Sequence, residues 1–520
     1  MRRIFAGFVA ALISISALAQ TYDVNNLNVH GNVAFTTPTQ PAGAIQYLQG
    51  ASGSAARSIT SKFQDSISSA DFAGCDPTGV ADSTTCLQNA ILAGANKLLF
   101  IAPGNYKVTS LNVSSPIWIF TGGAGSVTFT ETAATGDMFT VSANDVYITG
   151  LGFASSVTRT AGAYVNFTSS TNRVVLRDFF MTGAYLGVHL TCAAECRIED
   201  GTIFGGATTA GSAGILVDGG NDQYINKITM DAPAGSQPAA GIQVVQTGAL
   251  NITDSDIIHH TADLLINPGS GQSVASLYAL NTYFDTAVRG VSIAPTGTGI
   301  VLRLHFIGCW TSSHTDTGFF VSSASTGALS GIELIGHHAI LNAGSGALFN
   351  NGTTNPDSVK VIGGDFAGNG QNGIAFGAGV SNFIVEGAHS GAYVGQSGNG
   401  AWGLLVAAGA SNNYIINGNL MVGNTTGSIS DGGTGSSRRV TNNLPAAPAQ
   451  SVPTVGASPW TYTNSTATYQ TAYVNGGTVS VVAVAGSNVF TQTNCTVRIP
   501  PGQTMTITYS AAPGVGITSD

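Results

Sequence analysis

Six residues at nearly equal intervals could build one reactive surface: Asp256, Tyr283, Trp310, His338, Asp365 and His389 lie 27, 27, 28, 27 and 24 residues apart. Aromatic rings offer flat apolar area to sugar faces, while Asp and His supply hydrogen bonds and proton transfer. Cleavage of a glycosidic bond needs two carboxyl groups, one donating a proton to the glycosidic oxygen and one attacking or activating water. Asp256 and Asp285 are the candidate catalytic pair. Tyr283, Trp310, His338, Asp365 and His389 are the candidate substrate contacts, with Arg289 the nearest guanidinium. The competing structural reading makes these ordinary ladder residues and gives any single Asp a turn or a solvated role.

That spacing requires a repeat to position it. Apolar-x-apolar-x runs end repeatedly at a small or polar anchor: Gly122, Gly150, Asp178, Asp200, Lys227, Asp254, Asn281, Gly308, Gly336, Gly363, Gly387 and Gly418, most often 27 residues apart. Behind most anchors comes a glycine with apolar residues one and three places later, as in Gly214-Ile-Leu-Val, Gly241-Ile-Gln-Val and Gly290-Val-Ser-Ile, with Asp263-Leu-Leu-Ile filling one gap. Period-2 strands of this kind bury nothing alone, but stacked coils do. The expected fold class is all-β, a single-stranded parallel β-helix of about twelve coils with a small C-terminal all-β domain. A propeller blade needs about 40 residues and antiparallel strands, so it fits worse. Asp178, Asp200, Asp254 and Asn281 at the anchor are expected to cap turns by accepting backbone N–H groups.

Composition agrees with this class. Charged residues are only 8% of 520, Gly numbers 68, and the net charge is −9, which excludes coiled coils, charged helical bundles and a basic stripe for nucleic acid. Residues 1–19 read as a signal peptide, with Arg2-Arg3, an apolar stretch and Ala17-Leu18-Ala19 before Gln20, and no later run is long enough to span a membrane. Residues 20–60 are a lead-in, 61–440 the β-helix, 441–455 a Pro/Ala linker and 456–520 the C-terminal domain. Of six cysteines, Cys75 with Cys86 and Cys192 with Cys196 are spaced as loop staples, while Cys309 and Cys495 have no obvious mates. Neither pair has metal-ligand spacing and no phosphate-binding loop occurs, so neither metal nor cofactor is expected.

Residues 50–110 carry a more specific pattern. Ser54-Ala-Ala-Arg57 and Lys62-Phe63 lead to Asp71-Phe72-Ala73-Gly74. Asp76-Pro-Thr-Gly79-Val-Ala-Asp82 then precedes a helix capped near Asp82 or Ser83, followed by a strand ending Pro103-Gly104-Asn-Tyr106. This succession resembles the entrance to the pectate-lyase-like β-helices of bacteriophage tailspikes, although Phe-Ala-Gly stands where that pattern has Phe-Gly-Ala. The resemblance implies a homotrimer, in the virion tail or otherwise extracellular, that binds and depolymerises a bacterial surface polysaccharide. The export signal favours a Sec-exported bacterial lyase or glycoside hydrolase instead, and a non-catalytic adhesin or tail fibre is the third reading. The polygalacturonase signatures are absent, Gly336-His337-His338 being only a partial echo, so no motif selects the reaction type.

Overall fold

The computed structural model describes residues 46–47, 55, 57–58, 61–62, 65–350, 356–445 and 451–519. The expected signal peptide and most of the lead-in lie outside the described residues. The chain divides into two units, Met1–Gln64 and Asp65–Asp520. In the first, Gln46–Tyr47 pairs antiparallel with Arg57–Ser58.

The second unit is a parallel β-helix of about thirteen turns followed by small antiparallel sheets. One coil shows how the repeat works. Strand Leu250–Thr253 runs into a bend at Asp254, strand Asp256–Ile258 leaves it, and strand Ala262–Ile266 closes the coil. Their partners one coil on are Leu277–Leu280, Tyr283–Asp285 and Arg289–Ile293, each shifted by the same 27 residues. Equal shifts stack like on like, so Ile252, Ile257 and Leu264 meet Ala279, Phe284 and Val291 in a fully buried core. Burying each large side chain contributes about 1.5–3 kcal/mol.

The closing sheet holds thirteen strands, from Leu111–Val113 to Gly427–Gly433. Its first three, Leu111–Val113, Phe139–Val141 and Ala163–Phe167, lack the leading glycine that marks most of the later ones.

The anchors bend the chain differently from the expectation. Asp178, Asp200, Lys227, Asp254 and Asn281 all have φ between 47° and 52°, the left-handed region that Gly, Asn and Asp tolerate best. Among the Asx anchors only Asp178 accepts a backbone N–H, from Ala124 at 3.3 Å. Asp254 accepts from the Asn281 side chain and Asp200 from Arg177, at 2.8 and 2.9 Å. Backbone conformation, more than capping, selects these residue types.

Helix Thr84–Ala93 closes the N-terminal end by burying Cys86, Leu87, Ala90 and Ile91. Asp82 Oδ1 accepts from Thr84 N at 2.8 Å and so serves as the capping side chain, while Ser83 Oγ accepts from Asp76 N. Gln88 donates to Asn112 O and accepts from Asn112 N, at 3.0 and 2.8 Å. A glutamine thus occupies the open edge of strand Leu111–Val113, where another chain would otherwise pair. Cys75 is bonded to Cys86 and Cys192 to Cys196, while Cys309 and Cys495 are buried and free. Burial pushes the Cys309 thiol up to about 11, which keeps it protonated and unreactive.

An asparagine ladder pins the corner between the middle and closing strands of the later coils. Asn342, Asn369 and Asn399 each donate from Nδ2 to the Oδ1 of the next member, ending on Asn424, at 2.8–2.9 Å. Asn369 Nδ2 also donates to Ala339 O at 2.9 Å. Asn369→Ala leaves buried partners on two coils unpaired and is expected to cost about 1–3 kcal/mol, read as a lowered melting temperature, whereas Asn350→Ala outside the ladder serves as the neutral control.

Past the last coil, Trp460–Thr463, Thr504–Ala511, Thr478–Val484 and Ser487–Phe490 form one antiparallel sheet, and Cys495–Ile499, Gln470–Asn475 and Gly514–Ser519 form another. Val474, Val482, Val497, Met505, Ile507 and Ile517 make a core of their own.

Candidate functional site

The residue two places past each bend points outward, and these residues form one continuous ladder. Asp256 pairs with Tyr283, Tyr283 with Trp310, Trp310 with His338 and His338 with Asp365, and an isolated bridge adds His389. Thr229 precedes Asp256 and Leu420 follows His389, so the polar and aromatic stretch has defined ends. Adjacent members touch: the Tyr283 and Trp310 rings are 6.2 Å apart edge to face, and Trp310 and His338 are 5.8 Å apart. Asp365 accepts from His338 Nδ1 at 2.9 Å and faces His389 Nδ1 at 3.4 Å.

Asp285 lies one coil from Asp256 and two residues further along, opposite Ile258. That diagonal separates the Cα atoms by roughly 8 Å. Asp285 Oδ1 is held by two hydroxyl donors, Ser312 and Thr286, both at 3.0 Å. Asp256 has no hydrogen-bond donor among the described residues. Its carboxyl is raised above its ordinary range, chiefly by burial and then by the negative charges of Asp285 and Asp231. A half-buried, unpartnered carboxyl of raised pKa is suited to carry a proton.

Two further acids belong to this cluster and escaped sequence reasoning. Asp231 is the partner of Ile258 on the preceding coil and pairs with His259 at 2.8 Å. It occupies the same column, four past the anchor, as Asp285, and reading that column would have found it. Asp263 stands in the glycine column of the closing strands, where a Cβ at Gly290 would lie 2.8 Å from the Gly318 carbonyl. A carboxylate in a column of glycines was the available signal. Asp263 is fully buried against His260, Nδ1 to Oδ1 at 3.1 Å. Desolvation holds the Asp263 carboxyl well above its usual range and His260 down to about 3, so the pair is neutral beneath Asp256.

Arg289 and the nearby histidines His314 and His337 go elsewhere. Arg289 starts a strand of the closing sheet, and its guanidinium is ion-paired with Asp316 at 2.8 Å and packed 3.8 Å over the Phe320 ring. His314 is a corner residue: Nδ1 accepts from Ala287 N at 3.0 Å, Nε2 donates to Phe284 O at 3.1 Å, and its own N–H donates to Asn342 Oδ1. His337 is buried on Thr311 Oγ1 at 3.0 Å. Burial lowers His314 to about 4 and His337 to about 3. The unfolded chain, with His near 6.5, then binds more protons, so folding stability is lost as pH falls through about 6.5. His260, lowered by the same burial, adds to this loss, while Asp263, raised by burial, opposes it. We expect a loss of about 1 kcal/mol per histidine by about pH 5.5, checked by melting curves of His337→Gln, which should flatten the dependence.

Among the described residues no group of three or more His, Cys, Asp or Glu side chains is placed to hold a metal ion, and no helix is long and apolar enough to cross a membrane.

Equal-shift coils, left-handed anchors and an internal core define this molecule as a single-stranded parallel β-helix. Its fold is similar to that of phage tailspike proteins. A double mutant of the tailspike protein of E. coli bacteriophage HK620, solved in complex with a pentasaccharide, superimposes with a TM-score of 0.54 at 11% identity, over 92% of this chain and 97% of that one. A single mutant of the same tailspike, also with pentasaccharide, gives 0.50 at 12% identity over the same shares. At such identities the likeness is one of fold. No family model and no curated protein sequence matches the chain.

Proposed function

We propose that this β-helix binds a bacterial surface polysaccharide along the ladder from Tyr283 to His389 and hydrolyses it at Asp256 and Asp285. The observation that carries this reading is the half-buried, unpartnered Asp256 at the end of an outward ladder of rings and imidazoles. Rungs about 4.8 Å apart match a polymer of sugar rings lying along the helix. Asp256 donates its proton to the glycosidic oxygen, and Asp285, oriented by Ser312 and Thr286, activates the attacking water. Parallel outward side chains on Cα atoms roughly 8 Å apart leave room for that water, which suits an inverting reaction. Asp316 already neutralises Arg289, so the ladder lacks a free guanidinium for a uronate carboxylate, and hydrolysis is favoured over elimination. The pentasaccharide bound by the similar phage tailspike supports the substrate class.

In the same reading the protein works outside the cell as a homotrimer, on a virion tail or after Sec export. The test is digestion of purified O-antigen and capsular polysaccharides, with products sized and the first-formed anomer read by NMR. Trp310→Ala is expected to weaken polysaccharide binding by roughly tenfold. Unchanged binding together with intact polymer across the panel overturns the proposal, and ultraviolet absorbance from unsaturated uronates replaces hydrolysis by elimination. Mass spectrometry of purified virions against culture medium decides between tail and secreted protein.

A further inference from the structure

A second outward ladder runs along the flank before the bend, where neither the proposed chemistry nor the spacing argument placed anything. Trp118 pairs with Tyr147, Tyr147 with Val175, Val175 with Arg197 and Arg197 with Tyr224. Trp118 and Tyr147 are 50% and 46% exposed, with their rings 6.1 Å apart. Two residues further along, the next outward column runs Phe120, Thr149, Arg177, Glu199 and Asn226, with its two charged members, Arg177 and Glu199, paired side by side. Arg177 binds Asp200 at 2.9 Å, Arg197 binds Glu199 at 3.6 Å, and Arg197 stacks 4.4 Å over Tyr224. Together the two columns line an open groove of about 970 Å³.

Its composition is unlike the rest of the molecule. Five of the ten lining residues are charged, in a chain where only 8% are. Cores of protein–protein interfaces are depleted in charge, so this groove does not have the make-up of a surface covered by a second copy. Two bases against three acids leave it slightly negative, which disfavours a polyanion such as nucleic acid or a polyuronate. Exposed rings beside preformed Arg–carboxylate pairs suit a ligand with apolar faces and many hydroxyls, because the rings take the faces and the ion pairs both donate and accept hydrogen bonds.

We infer that the groove at Trp118, Tyr147, Arg177 and Arg197 is a second saccharide site, for a neutral oligosaccharide, separate from the Asp256 ladder. The two sites lie on different flanks of the same coil series, so one long polymer or two neighbouring chains of a bacterial surface engage both at once. Effective concentration then raises retention on polymer without changing cleavage of short fragments.

The test applies the full-length chain to an array of defined O-antigen and capsular oligosaccharides, in a background of Asp256→Asn with Trp310→Ala that disables the first ladder. That background is expected to keep binding to neutral glycans, and adding Trp118→Ala with Tyr147→Ala should weaken it by roughly tenfold. Arg177→Gln, whose side chain is 58% exposed, should weaken it without touching the rings and guards against misfolding of the ring variant. No residual binding in the background overturns the inference, as does binding unchanged by both groove variants. A fall in particle mass by light scattering on ring removal also overturns it, by assigning the flank to a neighbouring copy. Loss of binding from Trp310→Ala alone, with the groove variants silent, leaves the hydrolase reading standing and removes this one.

Discussion

Asp256→Asn is expected to lower polysaccharide cleavage by about a thousandfold while leaving retention on the polymer intact. The amide keeps the shape of the carboxyl and the contacts around it but has no proton to give, and a positioned general acid contributes roughly 10² to 10⁴. Because burial and the charges of Asp285 and Asp231 raise the Asp256 carboxyl, the acid remains protonated further towards neutral pH than an ordinary aspartate. Activity should therefore fall as pH rises through that elevated value. Removing a repelling neighbour with Asp231→Asn should move this limb to lower pH, and Asp285→Asn should abolish cleavage at every pH. Initial rates against pH for the three variants check the assignment; a basic limb unmoved by Asp231→Asn, or cleavage surviving Asp256→Asn, defeats it.

The largest expected loss of stability is far from the ladder, at Glu131. Its carboxylate and Arg159 form an ion pair at 3.4 Å with both side chains fully buried. Glu131 Oε1 accepts from the N–H groups of Thr132 and Ala133 at 3.0 and 2.9 Å, and Arg159 donates to the carbonyls of Ala133 and Gly136, at 2.9 Å to the former. The pair thereby ties the loop after strand Val127–Glu131 to the loop before strand Ala163–Phe167 on the next coil. Glu131→Ala strands a guanidinium in the core and is expected to cost about 3–5 kcal/mol. Replacing both partners, as Glu131→Leu with Arg159→Met, should cost less than the single change, since no charge is then left buried. Melting temperatures of the two variants decide it: a double variant less stable than Glu131→Ala would show that hydrogen bonding to the loops, rather than the uncompensated charge, carries the effect.

In the coils, regular spacing places chemistry; at the corners, buried polar groups hold the spacing. Asn369 and Glu131 illustrate the second role. Asn369 satisfies a carbonyl of the preceding coil, and Glu131 holds its own loop while pairing with Arg159, which satisfies that loop's carbonyls from the next coil, so a change there propagates along the stack, whereas an outward ring such as Tyr283, 46% exposed, can be removed with little structural cost.

How much was legible follows from the same division. The intervals between Asp256, Tyr283, Trp310, His338, Asp365 and His389 are enough to align them, because a parallel coil transmits position unchanged from rung to rung and side chains alternate with a period of two. The inward set and the entrance helix were readable for the same reason, since both depend on local pattern. The amino-acid order alone thus determined the winding and the membership of the ladder. Tertiary structure decided which of its members are free to react. Asp256 is unpartnered while Arg289 is occupied by Asp316, and Asp231 and Asp263 enter the cluster from a preceding coil and a neighbouring sheet. His314 and His337 prove to be buried fastenings. Protonation and pairing depend on desolvation and on charges brought close across coils, and these are properties of three-dimensional neighbourhood that no spacing along the chain encodes.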